Sequence, residues 1–248
     1  MGESEHIRFT TEGTTGILTL DNPPQNWLLR PEFVPLETLK EWIEVNAIKA
    51  LIINGSGRHF SGGAKLEDIF VMSQNEGTMQ LEMNRGKTLL SYLENLDIPV
   101  VAAVSGICFG GGLEVALACH IRFCSENALF AFPETNHGLL PGLGGTVRLG
   151  EKLPVMESLR IILGGDMINA EEALTLNIVD LIVKDEDLLS YTKKFLTKIT
   201  QDRPMNIIQA VMRAIKNARQ PDQAEAMKEE TRMFVRLAKI EAERRRSE

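Results

Sequence analysis

Two glutamates, each next to a glycine-rich stretch, are the residues of this sequence best suited to acid–base chemistry. Glu114 lies inside the apolar run FGGGLEVALA, and Glu134 follows 20 positions later in FPETNHGLLPGLGGT. A buried carboxylate is costly unless it is paired, and glycines weaken helices and strands. The combination of both unfavourable features at one point of the sequence therefore indicates a functional role for this stretch. Two carboxylates in one pocket can take up and release protons in the same reaction.

The glycines themselves indicate a site for an oxygen atom. In PVVAAVSGICFGGG a strand enters a turn and a helix begins at the glycines, and HFSGGAKLEDI (59–69) repeats the design. The first N–H groups of a helix lack internal partners and carry partial positive charge, and glycine lets a ligand approach them. Two such loops can form an oxyanion hole. Taken alone, Glu114 is equally consistent with an ordinary carboxylate at a helix start. The spacing does not fit the dinucleotide-binding pattern G-x-G-x-x-G.

The elements that must position these loops alternate between strands and helices, which predicts an α/β protein with an all-helical end. No strand pattern occurs beyond about residue 187. The last helix carries an apolar stripe that must pack on something. Strands are predicted at 7–11, 16–21, 50–55 and 99–106, twice within 120–132, and at 179–183. Helices are predicted at 36–45, 80–95, 110–119, 157–165, 169–177, 188–199, 205–217 and 221–245, with shorter ones after the loops at 59–69 and 141–154.

The composition is that of a globular protein with a small-molecule ligand. The chain has 248 residues, 44% hydrophobic and 25% charged, with a formal net charge of −7. The charge argues against nucleic acid and anionic membranes as partners, so an anionic ligand must be met by a few local groups. The polar start MGESEHIRF does not resemble a signal peptide, and no apolar run reaches the ~18 residues of a membrane helix. We therefore expect a soluble, cytoplasmic protein whose cysteines (Cys108, Cys119, Cys124) are reduced core residues.

Three motifs together resemble the signature of the enoyl-CoA hydratase/isomerase (crotonase) family. They are FSGGAKLEDI, VSGICFGGGLEVALACHIRF and FPETNHGLLPGLGGTVRL, and the resemblance extends from GILTLDNPPQN to the terminal helices. It implies a crotonase-like spiral of repeated β-β-α units with an acyl-CoA site in residues 1–190. It also implies that the helical region, 191–248, mediates assembly into a homotrimer or a dimer of trimers.

The resemblance also implies a role for each motif residue. The backbone N–H groups of Ala64 and Gly111 would hold the thioester oxygen, while Glu114 and Glu134 would handle water and proton. The substrate would be an acyl-CoA, with an acyl carrier protein thioester as another possible carrier. Neither a metal nor a cofactor other than the coenzyme A of the substrate is expected. Further substrate contacts are expected at Gly63, Lys65, Leu66, Gly110, Pro141 and Gly142.

The leading hypothesis is reversible addition of water across the 2,3 double bond of an enoyl thioester. Isomerases that resemble this sequence usually need only the carboxylate at the Glu134 position, so the presence of Glu114 favours hydration. Isomerisation or another enolate reaction is the alternative, because one scaffold supports several chemistries. A binding protein without turnover is a third hypothesis. His137 and Trp27 are further candidates for the pocket wall, whereas His59 and His120 are expected to be structural.

The sequence departs from the family pattern where coenzyme A would bind. Lys65 stands where aspartate is usual, which makes it a candidate contact to phosphate or a solvated residue at a helix start. The usual lysine after the first proline of NPPQN is replaced near Gln25. The closing lysine, arginine, proline and phenylalanine pattern is absent, and Lys239 with the arginines at 244–246 are the candidate substitutes.

Overall fold

The computed structural model of the protein describes residues 6–218 and 222–246. Pro221, where the last helix was predicted to begin, lies outside these residues. The strands are β1 (Ile7–Glu12), β2 (Thr15–Leu20), β3 (Ala50–Gly55), β4 (Val100–Val104), β5 (Ile107–Phe109), β6 (Ile121–Ser125), β7 (Leu129–Ala131), β8 (Ile168–Asn169) and β9 (Leu181–Val183). The α-helices are α1 (Leu36–Val45), α2 (Leu66–Ser73), α3 (Glu76–Asn95), α4 (Gly111–Leu117), α5 (Gly145–Lys152), α6 (Val155–Ile162), α7 (Ala170–Thr175), α8 (Leu188–Thr200), α9 (Met205–Asn217) and α10 (Gln223–Arg246).

The main sheet has six strands in the order β1-β2-β3-β4-β6-β9. The β1–β2 pair is antiparallel, and every other neighbouring pair is parallel. Parallel strands covered on both faces consist of continuous apolar runs. The strand β4, whose sequence is VVAAV, is buried at all of its positions, and β2 is buried along its whole length. The central strands therefore form the rigid base from which the glycine loops leave.

A second, smaller sheet explains the spiral. Its order is β5-β7-β8, with β5 and β7 parallel. Each unit places one strand in the main sheet and the next in the small sheet, first β4 and β5, then β6 and β7. After β3 the chain reaches the small sheet through a single bridge between Ser61 and Cys108. This is the predicted β-β-α repeat, and the predicted fold class is confirmed.

The terminal helices attach to this spiral one after another. Helix α8 packs on the main sheet, where Leu188 and Leu196 join a buried cluster with Ile52 and Phe123. The predicted division between residues 190 and 191 falls within α8, close to its start. Helix α10 packs on α9. Of the predicted stripe, Met233 and Leu237 are partly covered, whereas Met227, Phe234 and Ile240 are exposed. The assembly role of this region stays a prediction.

Two local differences from the sequence-based expectation have clear causes. Helix α3 begins at Glu76, a turn before the predicted residue 80, because the Asn75 side chain accepts a hydrogen bond from the Thr78 N–H. Such a cap starts a helix without any apolar residue in its first turn. The strands β5 and β8, of three and two residues, were not predicted, since they are too short to show a pattern.

The three cysteines lie in the core, as predicted: all are buried and none forms a disulfide. Burial raises the pKa of the Cys119 and Cys124 thiols to about 12, which makes them poor nucleophiles. Within the described ranges, no helix combines the length and the apolar character needed to cross a membrane.

Candidate active site

One cavity of about 1230 Å3 brings the three motifs together. Its walls come from the segments that follow β3, β5 and β7 and from helices α3 and α5. The predicted site residues that line it are Ala64, Lys65, Leu66, Gly110, Gly111, Glu114, Glu134, Pro141 and Gly142. Gly63 does not contribute to the wall and lies directly behind it, against Phe109 and Gly111.

The backbone N–H groups of Ala64 and Gly111 lie side by side. A β-carbon built on Gly63 would stand 3.0 Å from the Gly111 nitrogen, and one built on Gly111 would stand 3.9 Å from the Ala64 nitrogen. In residues 6–218 and 222–246, neither N–H donates a hydrogen bond to a protein acceptor. The cavity wall thus carries two adjacent donors that are available to a ligand oxygen.

The first glycine loop is fixed by the Ser61 hydroxyl. This hydroxyl donates to the Asn26 carbonyl at 2.7 Å and accepts from the Gly63 N–H at 3.0 Å. Gly63 has φ +83°, a left-handed conformation that other residues rarely adopt. Its carbonyl accepts a hydrogen bond from the Leu28 N–H at 2.8 Å. The loop is therefore held from three directions, which keeps the Ala64 N–H in place.

Glu114 is held through one of its two carboxylate oxygens. The side chain is 2% exposed, in the first turn of α4, and Oε1 accepts hydrogen bonds from the N–H groups of Leu143 at 2.6 Å and Gly145 at 2.8 Å. Burial raises the Glu114 pKa, and the hydrogen bonds from Gly145 and Leu143 oppose this rise, as do the charges of Arg148 and Lys87. The protein supplies no comparable donors to Oε2 among the described residues, so this oxygen is left for the ligand.

Glu134 has the opposite environment. It lies in the 3₁₀ turn Pro133–His137, and its Oε1 would be 2.6 Å from a β-carbon on Gly110. Its Oε2 is buried without a hydrogen-bond partner in the described part of the chain. Burial raises the Glu134 pKa to about 7; its own backbone N–H lowers the pKa, and the negative charge of Glu114 raises it. A carboxyl group that is half protonated at neutral pH is a candidate general acid.

A family profile described as enoyl-CoA hydratase/isomerase matches residues 10–247. The chain belongs to the enoyl-CoA hydratase/isomerase family. A protein of Bacillus subtilis (strain 168) named "Probable enoyl-CoA hydratase" is 34% identical over 203 residues, which are 81% of this chain and 78% of that protein. Several longer relatives are named as fatty acid oxidation proteins, and the chain spans about a quarter of their length.

Solved structures show the same crotonase fold. An enoyl-CoA hydratase from Polaromonas sp. JS666 superposes with a TM-score of 0.85 at 27% identity, over 93% of this chain and 90% of that one. A protein of Thermobifida fusca YX solved in complex with CoA has a TM-score of 0.82 at 25% identity, over 96% of this chain and 95% of that one. The family profile, which matches residues 10–247, covers the three motifs and the terminal helices alike.

The remaining histidines and Trp27 lie where the sequence suggested. His137 and Trp27 line the cavity. His59 Nδ1 accepts from the Ile107 N–H at 3.2 Å, and His120 Nδ1 accepts from the Val100 N–H at 3.0 Å, so both tie backbone segments together. In the part of the chain that the structure describes, no three His, Cys, Asp or Glu side chains are grouped to hold a metal ion.

Sequence reasoning missed the ion pair between Arg148 and Glu94. Both residues line the cavity, and Arg148 Nη2 lies 3.0 Å from Glu94 Oε2. Arg148 is nearly buried although it is an arginine. The signal for this pair in the sequence was the position of Arg148 in GGTVRL. There a charged residue follows the second glycine loop, on a helix that faces the core. A buried arginine must have acceptors, so such a position indicates a structural or functional contact.

The unpartnered oxygen of Glu134 predicts a stability effect that depends on pH. The folded protein keeps a proton up to about pH 7, whereas the unfolded chain releases it near the ordinary value of 4.5. The free energy of unfolding therefore falls as pH rises through this window. Glu134→Gln carries no such charge, so we expect its Tm to exceed that of the wild type at about pH 8. Each kcal/mol of difference in the free energy of unfolding should raise Tm by about 2–4 °C, and the gap in Tm should be smaller at about pH 5.

Differential scanning calorimetry over this pH range measures the gap. Glu126→Gln, at an exposed glutamate outside the cavity, is the matched control and should show no gap that grows with pH. A constant Tm difference between wild type and Glu134→Gln at every pH would contradict the prediction.

Proposed function

We propose that the protein is an enoyl-CoA hydratase that adds water reversibly across the 2,3 double bond of an enoyl thioester. The observation that carries the proposal is that Glu114 and Glu134 line one cavity next to two backbone N–H groups that donate to no acceptor in the described part of the chain. The names of the Bacillus and Polaromonas relatives support the same activity. The complex of the Thermobifida protein with CoA supports CoA as the carrier.

In this mechanism the N–H groups of Ala64 and Gly111 bind the thioester oxygen. Attack at C3 pushes electrons through C2 to this oxygen, which becomes an enolate oxygen in the intermediate. Donors that are already in place stabilise the developing charge without reorganisation. The left-handed turn at Gly63 and the lack of a side chain at Gly111 allow the oxygen to reach both donors.

The different surroundings of the two carboxyl groups assign their roles. Burial raises the pKa of both carboxyl groups, but only Glu114 accepts hydrogen bonds from two backbone N–H groups that oppose this rise. We therefore assign Glu114 as the base that takes a proton from water as the C3–O bond forms. Glu134, with a pKa of about 7, is the acid that delivers a proton to C2 when the enolate collapses. The proton is then returned from Glu114 to Glu134 through solvent. Dehydration uses the same groups in the reverse order.

The ends of the cavity suit the two parts of the substrate. Lys65 precedes α2 at the cavity wall. It supplies a local positive charge for the phosphates of coenzyme A, although the protein as a whole is acidic. Met79 and Met83 of α3 offer an apolar and adaptable wall for the acyl group. Assembly into a homotrimer or a dimer of trimers would cover exposed apolar side chains such as Phe234.

Mixing the purified protein with crotonyl-CoA should remove the ultraviolet absorbance of the conjugated thioester. Mass spectrometry should show that the product has gained one molecule of water. A protein that leaves crotonyl-CoA and longer 2-enoyl thioesters unchanged would overturn the proposal. If the same protein instead produces the conjugated absorbance from a 3-enoyl-CoA, it is an isomerase. If it binds the thioesters tightly without any conversion, it is a binding protein.

A further inference from the structure

The loop that holds Glu114 is itself held by a side chain from outside the three glycine turns. The peptide groups of Leu143 point in two directions: the N–H donates to Glu114, and the carbonyl accepts from Arg148 Nη1 at 2.9 Å. Arg148 lies on α5, one turn after Gly145, the second donor to Glu114. A single guanidinium therefore controls the segment that presents both N–H groups.

Arg148 is in turn fixed by Glu94 of α3. Its Nε and Nη2 lie 3.3 Å and 3.0 Å from the same oxygen, Glu94 Oε2. A planar guanidinium that contacts a carboxylate on one side and a carbonyl on the other has a fixed orientation. Helix α3 also contacts the loop directly, because a β-carbon on Gly86 would lie 2.8 Å from Leu143 Cδ2. The position of the loop is thus set by α3 through Arg148.

The backbone leaves space for this guanidinium. Gly144 has φ +99°, and a β-carbon at this residue would stand 2.6 Å from Arg148 Nη1. Any side chain at position 144 would therefore displace the guanidinium from the Leu143 carbonyl. Gly144 serves the Arg148 contact as well as the turn.

We propose that Arg148 is a positioning residue: by holding the Leu143 carbonyl, it keeps the N–H groups of this loop directed at Glu114. The inference rests on the proposed function in assigning a catalytic role to Glu114. Arg148 does not touch the reacting atoms in this proposal. Its effect on the reaction passes through the hydrogen bonds to Glu114 Oε1.

Arg148→Met keeps an unbranched apolar stem and removes the contacts to both Glu94 and the Leu143 carbonyl. A misplacement of about 1 Å at a reacting group can cost ~10²-fold in rate. We expect kcat for crotonyl-CoA hydration to fall about 10- to 100-fold with KM nearly unchanged, since the substrate contacts remain. Arg148→Lys keeps the charge and should recover part of kcat. Arg160→Met, which removes a partly exposed, ion-paired arginine outside the cavity, is the matched control.

The pH profile separates positioning from simple destabilisation. The charged groups that act on Glu114 are Lys87 on α3 and Arg148 on α5, and Glu114 itself acts on Glu134 in the 3₁₀ turn. Glu94 on α3 faces Arg148. Loss of the loop contact weakens two hydrogen bonds that favour the ionised form, and loss of the guanidinium removes a positive charge. Both changes raise the Glu114 pKa, so the acid limb of kcat should move to higher pH in Arg148→Met and, to a smaller extent, in Arg148→Lys.

An infrared titration tests the inference without turnover. The carbonyl band of the protonated Glu114 carboxyl, assigned by its absence in Glu114→Gln, should reach its midpoint at higher pH in Arg148→Met than in the wild type. This shift is expected even if the wild type does not hydrate crotonyl-CoA, so the two proposals fail separately. Should Arg148→Met not fold, Arg148→Lys carries the test. An unchanged midpoint and acid limb in the folded variants would overturn the inference.

Discussion

Glu134→Gln is expected to lower kcat for crotonyl-CoA hydration by about 10²–10⁴-fold, the usual contribution of a general acid. The amide has nearly the shape of the carboxyl group, so it fits against Gly110, but it has no acidic proton to deliver to C2. KM should change little, because the oxyanion donors and the cavity walls remain. Steady-state absorbance kinetics with Glu126→Gln as the control measures the loss. A variant with more than about a tenth of the wild-type kcat would contradict the assignment of Glu134 as the acid.

The pH dependence of the wild type adds a second check on the same residue. Hydration needs Glu134 protonated, so its kcat should decline as pH rises through about 7. Dehydration of the 3-hydroxyacyl-CoA begins with the proton on Glu114 and with Glu134 ionised. The pair then holds the same total number of protons as it does for hydration, so kcat for dehydration should also decline as pH rises through this range. Alkaline limbs with one midpoint in both directions would identify a single proton shared by the pair, and limbs with opposite directions would contradict this assignment.

Gly63→Ala is expected to lower kcat by about 10²–10³-fold through the oxyanion hole, although residue 63 is not part of the cavity wall. The new β-carbon would stand 2.7 Å from the Phe109 carbonyl oxygen and 3.0 Å from the Gly111 nitrogen. The two loops must move apart, which separates the N–H groups that we propose bind the thioester oxygen.

Gly57→Ala is the matched control for this substitution. Gly57 has φ +71°, so alanine there carries a similar conformational cost of about 1–2 kcal/mol, but its β-carbon would meet no atom within 4 Å. Comparison of kcat and Tm for the two variants separates loop displacement from backbone strain. Equal kcat values for Gly63→Ala and Gly57→Ala would show that the approach of the two loops is not required for catalysis.

The local part of the site was accessible from the sequence. A glycine run that opens a helix after a buried strand has few structural solutions, and the charged residue in its first turn marked Glu114. The fold class followed from apolar strands that alternate with helices, together with the three motifs. These features are encoded over short distances, where backbone conformation and periodicity decide the outcome.

Features that depend on distant pairs were not accessible. Arg148 and Glu94 are 54 positions apart, and neither has a local pattern that names the other. The sequence also did not indicate which of Glu114 and Glu134 is the acid and which is the base. Their difference comes from the two backbone donors on Glu114 and from the lack, among the described residues, of a partner for Glu134 Oε2, which only the folded chain shows. The partial cover of the α10 stripe depends on how α9 lies against it.

The order of strands in the main sheet has a consequence for synthesis of the chain. Each strand of the series β1-β2-β3-β4-β6-β9 pairs with the one that precedes it in this series, so every new strand adds to the edge left by the chain already made. A domain emerging from the ribosome can therefore build this sheet in the order of translation, with no early strand waiting for a partner beyond the next one in the series. Helix α8, which packs across β2, β3, β4 and β6, completes the sheet only after all four have paired.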